Sequence, residues 1–407
     1  MRKNDRARTG LQVAIICLFS LSVLICSSST PVASAAETKA AVKEWEIPVL
    51  TVLSGQLVYA GVSAGWGADY AARMINQAGG IAGVPVKITK YDYAYENAKA
   101  VAIMAQLVQN NLVVLGPMDS SAAMAVASII KESGVPTISG AMTPDARKSQ
   151  RPWGMSWLQD GADANVAVNK WLSLNKDIKS VVIIYPPANP GSVYQAVAAE
   201  AEMTRMGIKI AGKIETVTGQ IDMRPQAARA LSLKADGYYT ALTADDHVKM
   251  LKALNAGGMK DGRRILAAFS ANSPALFDLG KGYLEGTYLW DTMSLDNSSP
   301  EWRALLKAYQ EEHNGANPIA PTIGFYDAVY AVKTAIESLG ITGDPVKRTA
   351  ERQKIKDFLY NNQHLPGAMG PYRYVNGNKV ASFFLLQVKD NKFLTAAVVP
   401  GPATPAP

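Results

Sequence analysis

An alternation of strand-like and helix-like segments most constrains what this chain of 407 residues can fold into. Short β-rich runs at residues 47–53, 86–91 and 112–115 are each followed by a segment whose apolar residues have helical spacing, as in residues 97–110. Parallel strands joined in this way need helices on both faces of their sheet. The pattern therefore predicts an α/β fold.

The alternation occurs in two series, which residues 151–157 separate. The second series begins near Asp163 and includes expected strands at residues 181–185, 208–215 and 237–241. Two series of this length predict two open α/β domains. Such domains usually bind ligands at the carboxyl ends of their strands and between the domains.

The first 35 residues have the order of a secretory signal peptide. Residues 1–10 carry four basic residues and one acid, residues 11–25 are mostly apolar, and Ala33-Ser34-Ala35 offers a cleavage site. The apolar stretch is shorter than the roughly 18 residues that a membrane span needs. Cleavage after Ala35 would place the mature chain in the periplasm. Lipid attachment at Cys26 is the alternative, which the bulky Ile25 disfavours.

Removal of this segment would also change the chemistry open to the chain. Both cysteines, Cys17 and Cys26, lie inside it, so the mature protein would have no disulfide, thiol nucleophile or thiolate metal site. The loss of four basic residues and one acid lowers the formal net charge from +7 to +4. We therefore expect no nucleic-acid binding.

Signals for catalysis are weak. Gly61-Val62-Ser63-Ala64-Gly65 matches the nucleophile elbow of α/β-hydrolases, but several residues separate Ser63 from the end of the preceding strand. His247 and His313 are expected at solvated helix positions. A serine hydrolase acting through Ser63 is the second hypothesis. No dinucleotide fingerprint, Walker loop, zinc helix or calcium loop is present, so we expect no cofactor and no metal.

Polar and aromatic residues follow three strands of the first series. Tyr59 and Trp66 are expected in the loop after the first strand, Asp119-Ser120-Ser121 follow the third, and residues 139–143 follow the fourth. The carboxyl ends of parallel strands share one edge of a sheet. Hydroxyls, amides and aromatic rings without a catalytic base suit the binding of a small polar molecule.

Three stretches resemble the branched-chain amino-acid-binding proteins of ABC importers, which are type I periplasmic binding proteins. They are SGQLVYAGVSAGWGADYAARMINQAGGIAG, GPMDSSAAMAVASIIKESGVPTISGAMTP and IIYPPANPGSVYQAVAAEAEMTRMGIKI. The resemblance covers nearly the whole mature chain. It implies two flavodoxin-like (Rossmann-like) domains, each a parallel sheet with helices on both faces, joined by a three-strand hinge. It also implies an ABC permease in the inner membrane as the partner.

In the family that the chain resembles, hydroxyls and amides of two loops receive the ligand's α-carboxylate. The resemblance therefore assigns Ser120, Ala141 and Thr143 to the site, with Ser121 beside them; a plain helix cap is the alternative for Ser120. Asp119 could cap the helix or meet a cationic group. Further candidates are the aromatic residues Tyr59, Trp66, Tyr185 and Tyr239, and the polar residues Asp245 and Ser270.

The second domain departs from the family in one respect. Ser270 occupies about the position of the acid that binds the α-ammonium group in the amino-acid binders. Asp245 and Asp246 are the nearest acids, but both begin a helix and have a capping explanation. The expected ligand is a small amino acid, carboxylate or amide, with a preference for an aromatic carboxylate that lacks an α-amino group.

We expect a monomeric, non-enzymatic solute-binding protein of an ABC importer. A ligand-sensing regulatory subunit of the same fold is a third hypothesis. The expected organisation is a signal peptide at 1–35, an N-terminal lobe of 46–157 and 291–368, a C-terminal lobe of 158–290 and 369–400, and a disordered tail at 401–407.

Overall fold

A computed structural model describes residues 40–160, 165–273, 275–362 and 364–401. The predicted signal peptide and the predicted tail after residue 401 lie outside the described residues. Within the described part of the chain, no helix combines the length and the apolar character that crossing a membrane requires. Two large sheets, each covered by helices, organise these residues.

The first sheet has five parallel strands in the order β2-β1-β3-β4-β5. Its strands are β1 (Trp45–Thr51), β2 (Val86–Asp92), β3 (Val114–Leu115), β4 (Thr137–Ser139) and β5 (Gly154–Ser156). Apolar residues of β1, β3 and β4 are buried, as expected for central strands covered on both faces. Because these three strands are neighbours, the strand ends singled out in the sequence share one edge.

Helices of the first series pack around this sheet. They are α1 (Val58–Gln77), α2 (Asn97–Asn110), α3 (Ser120–Ala125), α4 (Ala127–Ser133) and α5 (Pro144–Gln150). The sequence pattern predicts a helix over residues 68–76, whereas α1 begins ten residues earlier, at Val58. Tyr59 and Trp66 therefore lie on a helix, and their predicted place in a loop is wrong.

The second sheet has seven strands in the order β14-β13-β10-β9-β8-β6-β7. The remaining strands in the described part of the chain are β6 (Ser180–Tyr185), β7 (Lys209–Glu215), β8 (Gly237–Thr240), β9 (Ile265–Ala267), β10 (Tyr288–Asp291), β11 (Arg373–Val375), β12 (Asn378–Val380), β13 (Phe383–Lys389) and β14 (Lys392–Val399). The five strands from β6 to β10 are parallel, whereas β13 is antiparallel to both β10 and β14. The predicted α/β fold of parallel sheets is confirmed, and β13 and β14 add an antiparallel pair at one edge of the second sheet.

The cause is the tight turn between β13 and β14. Asp390 and Asn391 have φ angles of 51° and 57°, which is the left-handed geometry of a two-residue hairpin turn. A hairpin of this kind can join only antiparallel strands. The polar run Lys389-Asp390-Asn391-Lys392 between two apolar stretches predicts such a turn joining the last two strands.

Among the described residues, eight further helices follow the first five. They are α6 (Asn165–Leu174), α7 (Pro190–Arg205), α8 (Arg224–Ser232), α9 (Ala244–Ala256), α10 (Leu276–Gly280), α11 (Pro300–Glu312), α12 (Ala320–Leu339) and α13 (Arg348–Tyr360). The last three return to the core of the first sheet, where Trp302, Phe325 and Ile355 are buried. The α/β fold class predicted from the sequence is confirmed.

The chain passes between the two sheets three times. The three connecting segments follow β5, follow β10, and precede β13; the third contains the β11–β12 hairpin, which is a sheet of its own. Gln159 of the first segment pairs in parallel with Lys379 of the third, and its side chain donates to the Ser382 carbonyl at 2.9 Å. The lobe boundaries along the chain stay a prediction.

Candidate functional site

Asp119, rather than a serine, caps the helix α3. Its Oδ1 accepts from the backbone N–H groups of Ser121 at 2.8 Å and Ala122 at 3.0 Å. Its Oδ2 accepts from the Tyr93 hydroxyl at 2.5 Å. Capping by an aspartate oxygen satisfies donors that the helix leaves unpaired. Both carboxylate oxygens are thus engaged, and the capping explanation accounts for this acid.

The Ser120 hydroxyl joins two neighbouring strand ends. Its Oγ accepts from the N–H groups of Met142 at 3.0 Å and Thr143 at 3.3 Å, in the loop after β4. A hydroxyl that accepts in this way still has a hydrogen to donate. The half-buried Ser120 can therefore donate to an anion placed against this loop. The structure brings Ser120 and Thr143 together, as the sequence analysis expected.

The other two small residues of the predicted anion site lie beside this contact. Ala141 is buried, and its carbonyl accepts from the Ser156 hydroxyl at 3.0 Å. Ser121 is exposed, and its Oγ accepts from the Asn97 side chain at 2.7 Å. Ser121 is thus tied to α2, and Ala141 contributes backbone to the loop.

Two exposed tyrosines flank the capped helix. Tyr59, in the first turn of α1, is 48% exposed, and Tyr95, just after β2, is 39% exposed. Partial burial, the charge of Asp119 and the neighbouring Tyr59 raise the pKa of Tyr95, which places the three side chains in one electrostatic environment. The sequence analysis missed Tyr95, although the stretch YDYAYE after a predicted strand carried the signal.

The backbone that presents Tyr95 is unusual. Ala94 and Tyr95 have φ angles of 51° and 62°, which is the left-handed region that residues with a side chain seldom occupy. The Ala94 N–H donates to Asp92 Oδ1 at 2.8 Å, which holds the turn. Such conformations cluster at binding and active sites. The strained turn therefore makes Tyr95 a candidate binding residue.

Trp66 makes packing contacts on α1 and α11. Its ring stacks on Tyr70 with centroids 5.1 Å apart, and it meets the edge of Tyr309 at 4.8 Å. Its indole nitrogen donates to Glu312 at 2.7 Å. Packing between helices therefore accounts for Trp66. These contacts are with α1 and α11, and not with the loop of residues 140–143 that follows β4.

The tyrosines predicted in the second domain differ in their burial. Tyr239 is 1% exposed, and its hydroxyl accepts from the Trp290 indole at 3.4 Å, so it is part of the core of the second sheet. Tyr185 is half-buried at the end of β6. Only Tyr185 of this pair lies at a strand end with part of its surface accessible.

Polar candidates of the second domain already have partners. The exposed Asp245 forms an ion pair with Lys249, and the buried Asp246 accepts from the Gly219 N–H at 2.8 Å. The Ser270 hydroxyl donates to the Leu242 carbonyl at 3.0 Å. The buried Oδ1 of Asp246 accepts no hydrogen bond, but Lys249 Nζ lies 3.6 Å from it, so both acids already have a cation of their own helix nearby.

The first turn of α7, a helix that packs on the second sheet, contacts the loop of residues 140–143, whose amides bond Ser120. A Cβ atom on Gly191 would lie 2.9 Å from the Met142 side-chain methyl, so the two elements are in contact there. Asn189 caps this 16-residue helix through a bond from the Ser192 N–H at 3.1 Å. A helix N-terminus favours negative charge. The arrangement of hydroxyl, loop amides and helix end suits an anion.

The residues of the hydrolase hypothesis do not assemble into a catalytic site. Ser63 lies inside α1 rather than in a turn, is 4% exposed, and shares a hydrogen bond of 3.1 Å with the Tyr309 hydroxyl. His247 is 1% exposed and bonds Thr240 at 2.9 Å, so its predicted surface position is wrong. Within the described residues, no group of three or more metal-ligating side chains is placed to hold a metal ion.

Two α/β lobes linked by three segments, with a hydroxyl-and-amide loop facing a helix N-terminus, define a class of proteins that bind small solutes. A family model described as periplasmic binding protein matches residues 44–392. The chain therefore belongs to the periplasmic binding protein family, as the sequence resemblance implied. It is a substrate-binding protein and not an enzyme.

Known relatives cover nearly the whole chain. A Leu/Ile/Val-binding protein homolog from Brucella melitensis is 24% identical over 380 residues, which is 92% of this chain and 99% of the relative. The structure of LivJ from Streptococcus pneumoniae in complex with isoleucine has a TM-score of 0.74 at 22% identity, covering 88% of this chain and 100% of that one. A solute-binding protein of R. palustris in complex with 4-hydroxybenzoate has a TM-score of 0.73 at 20% identity, covering 88% and 98%.

Proposed function

We propose that this chain is the exported solute-binding component of an ABC importer and that it binds a small carboxylate between its lobes. The observation that carries the proposal is the contact of Ser120 with the Met142–Thr143 amides, opposite the start of α7. The Ser120 hydroxyl, the loop and the helix end provide donors for a carboxylate. Hydrogen bonds to a charged group contribute more to binding than neutral ones.

The ligand class follows from the polar groups of the second lobe. A buried ammonium group needs a carboxylate or several oxygens around it, because an unpaired buried charge is costly. Asp246 is held by a backbone amide and Asp245 by Lys249, while Ser270 offers one hydroxyl that already donates to a carbonyl. We therefore infer a carboxylate without an α-amino group.

Aromatic side chains favour a ligand with a ring. Tyr59 and Tyr95 expose flat surfaces beside the Ser120 helix, and rings of this kind stack on aromatic ligands. The R. palustris protein of the same fold is described in complex with 4-hydroxybenzoate, and the S. pneumoniae protein in complex with isoleucine. Both ligands carry a carboxylate, and the tyrosines incline the choice toward the aromatic one.

The wider assignment rests on the family. We propose lobes of residues 46–157 with 291–368 and residues 158–290 with 369–400, which close around the ligand on the hinge of three segments. The closed form would dock, as a monomer, on an inner-membrane permease. Export would follow from the signal peptide predicted at residues 1–35, which places the protein in the periplasm.

A comparison of matched acids tests the ligand class. Calorimetric titration would compare benzoate and 4-hydroxybenzoate with leucine, phenylalanine and the corresponding acids without the amino group, 4-methylpentanoate and 3-phenylpropanoate. We expect the acids without an amino group to bind more tightly than leucine and phenylalanine, with the ring-bearing acids tightest. Micromolar binding of leucine without binding of 4-methylpentanoate would contradict the proposal, and asparagine variants of Asp119, Asp245 and Asp246 would then identify the ammonium partner.

A further inference from the structure

Arg147 is a buried cation that contacts the loop of residues 140–143, whose amides bond Ser120. It lies in α5, which begins one residue after Thr143, and it is 5% exposed. Its Nε donates to the Met142 carbonyl at 3.3 Å, so the guanidinium holds the same short loop whose amides bond Ser120. A planar guanidinium with five donors can fix several acceptors at once.

The other two guanidinium nitrogens of Arg147 donate to the segments that connect the lobes. Nη2 donates to the Leu158 carbonyl of the first segment at 3.0 Å, and Nη1 donates to the Asn378 side chain of β12, in the third segment, at 3.0 Å. One side chain therefore ties the Met142–Thr143 loop to two of the three connecting segments.

An ionic contact extends this network into the second lobe. Asp160, 4% exposed in the first segment, has its Oδ2 3.9 Å from Arg147 Nε. The Tyr194 hydroxyl of α7 donates to Asp160 Oδ1. The same helix begins at the Gly191 contact with Met142. A chain of contacts therefore runs from the loop of residues 140–143 through Arg147 and Asp160 to Tyr194. Tyr194 belongs to α7, the helix whose start contacts the same loop.

Burial of this pair needs a reason beyond stability. Desolvation of an arginine and an aspartate offsets most of their attraction, and apolar residues of similar volume often serve a core as well or better. Here the guanidinium has acceptors in three separate segments, which an apolar side chain could not hold in fixed relation. The arrangement is therefore suited to fixing geometry.

We propose that Arg147 is a positioning residue that couples the ligand loop to lobe closure, with Asp160 and Tyr194 as its link to the second lobe. The guanidinium keeps the Met142 and Thr143 amides directed at Ser120 only while the connecting segments hold their arrangement. This inference rests on the proposed function for its effect on ligand affinity, but the coupling itself is a property of the free protein.

Tyr194→Phe is the decisive variant, because it removes one hydroxyl in the second lobe and leaves the ligand loop unaltered. Tyr309→Phe is its matched control, since it also removes one hydrogen-bonded tyrosine hydroxyl, the one that contacts Ser63 in α1. Arg147→Lys keeps the charge but not the three-way geometry. Each variant would be titrated with benzoate and 4-hydroxybenzoate, and its unfolding midpoint measured in urea.

We expect Tyr194→Phe to weaken binding at least fivefold and Arg147→Lys at least tenfold, with Tyr309→Phe near wild type. The double variant Arg147→Lys/Tyr194→Phe should lose less than the product of the two single losses, because both act on one path. A purely structural role would lower the urea midpoint and leave the affinity of the folded protein unchanged, which would overturn the proposal.

Hydrogen exchange separates this proposal from the ligand assignment. In the free protein, a peptide covering residues 140–146 should exchange faster in Tyr194→Phe than in wild type or Tyr309→Phe, although the substitution lies in another lobe. If wild type binds no carboxylate, the proposed function fails and this exchange result alone decides the coupling. Exchange in Tyr194→Phe that equals the control contradicts the coupling.

Discussion

At the scale of single residues, the neighbours Asp119 and Ser120 show what local chemistry can decide. Either side chain can cap a helix, so the sequence leaves both alternatives open. In the structure Asp119 is the cap, because one of its oxygens accepts from the Ser121 and Ala122 amides. Tyr93, which directly follows β2, donates to its other oxygen. Ser120 is thereby left to bond the loop after β4. A contact between residues 26 positions apart could not be read from local pattern.

Replacement of Ser120 tests the anion site. Ser120→Ala removes the hydroxyl that we propose donates to the ligand, and with it the acceptor for the Met142 and Thr143 amides. Hydrogen bonds to charged groups contribute about 1.5–3 kcal/mol, so affinity for the best carboxylate should fall roughly ten- to hundredfold. Calorimetry gives the measurement. Ser121→Ala is the control, since its exposed hydroxyl contacts Asn97, and it should bind within about twofold of wild type.

Asp291 gives a prediction about pH. Burial raises the pKa of Asp291, whose oxygens accept from Asn272 and the Thr292 N–H, to about 6 from its ordinary value of 3.8. The folded state therefore binds more protons than the unfolded state between about pH 4 and 6, and this group destabilises the fold as pH rises through that window. Burial lowers the pKa of His247 to about 4, which has the opposite effect over a similar range.

Substitution isolates the aspartate from the histidine. The free energy of unfolding of Asp291→Asn, relative to that of wild type, should increase by about 2–3 kcal/mol as the pH rises from 4 to 7. A pKa shift of about two units corresponds to that free energy. His247 is present in both proteins and cancels from the difference. Urea unfolding at pH 4, 5.5 and 7 provides the measurement, and a difference that does not change with pH would contradict the account.

At the scale of secondary structure, most strands and helices follow from periodicity, and α1 shows where it fails. Its first turns contain Gly61, Gly65 and Gly67, which lower helix propensity, so the sequence predicts a start ten residues late. Tertiary packing overrides this preference: a Cβ on Gly67 would lie 2.0 Å from the Thr322 carbonyl oxygen of α12, and one on Gly61 1.8 Å from that of Val52. Glycine permits these close approaches.

A pair of glycine substitutions tests this packing. Gly67→Ala should destabilise the fold by about 1–3 kcal/mol, because the α1 and α12 backbones must separate. Gly65→Ala, in the same helix, meets only the Lys90 side chain at 2.8 Å, which can move, and should be neutral or stabilising by up to about 1 kcal/mol. Thermal or urea unfolding would compare the two variants. Equal destabilisation by both variants would contradict the specific role of the close approach between α1 and α12.

At the scale of the whole molecule, the sequence predicted two α/β units and the neighbouring strand ends that carry Ser120 and Thr143. Binding of a ligand at these strand ends stays a prediction. The sequence could not predict that β13 pairs with β10, because the partner of a strand that is distant along the chain is set by tertiary packing. Nor could it predict the hydrogen bonds of Arg147, whose acceptors are as far as 231 positions away along the chain. Long-range polar contacts of this kind depend on the assembled fold.

A cavity beside the connecting segments is an alternative place for a ligand to bind. It has a volume of about 220 Å³, and its lining includes Trp157, Thr292 and the buried pair of Asp327 and Lys379. Its lining does not include Ser120, Thr143 or Tyr59. A ligand seen there would be bound by the hinge and not by the loop, so the two sites are distinguishable by position.

A crystal structure with 4-hydroxybenzoate, or with whichever acid binds most tightly in the calorimetric comparison, tests the central claim most directly. The account predicts the carboxylate about 3 Å from Ser120 Oγ and beside the Met142–Thr143 loop, with the start of α7 closed over it and the ring against Tyr59 or Tyr95. A carboxylate bound elsewhere, in the hinge cavity for example, or an occupied cleft in which Ser120 makes no contact with the ligand, would contradict it.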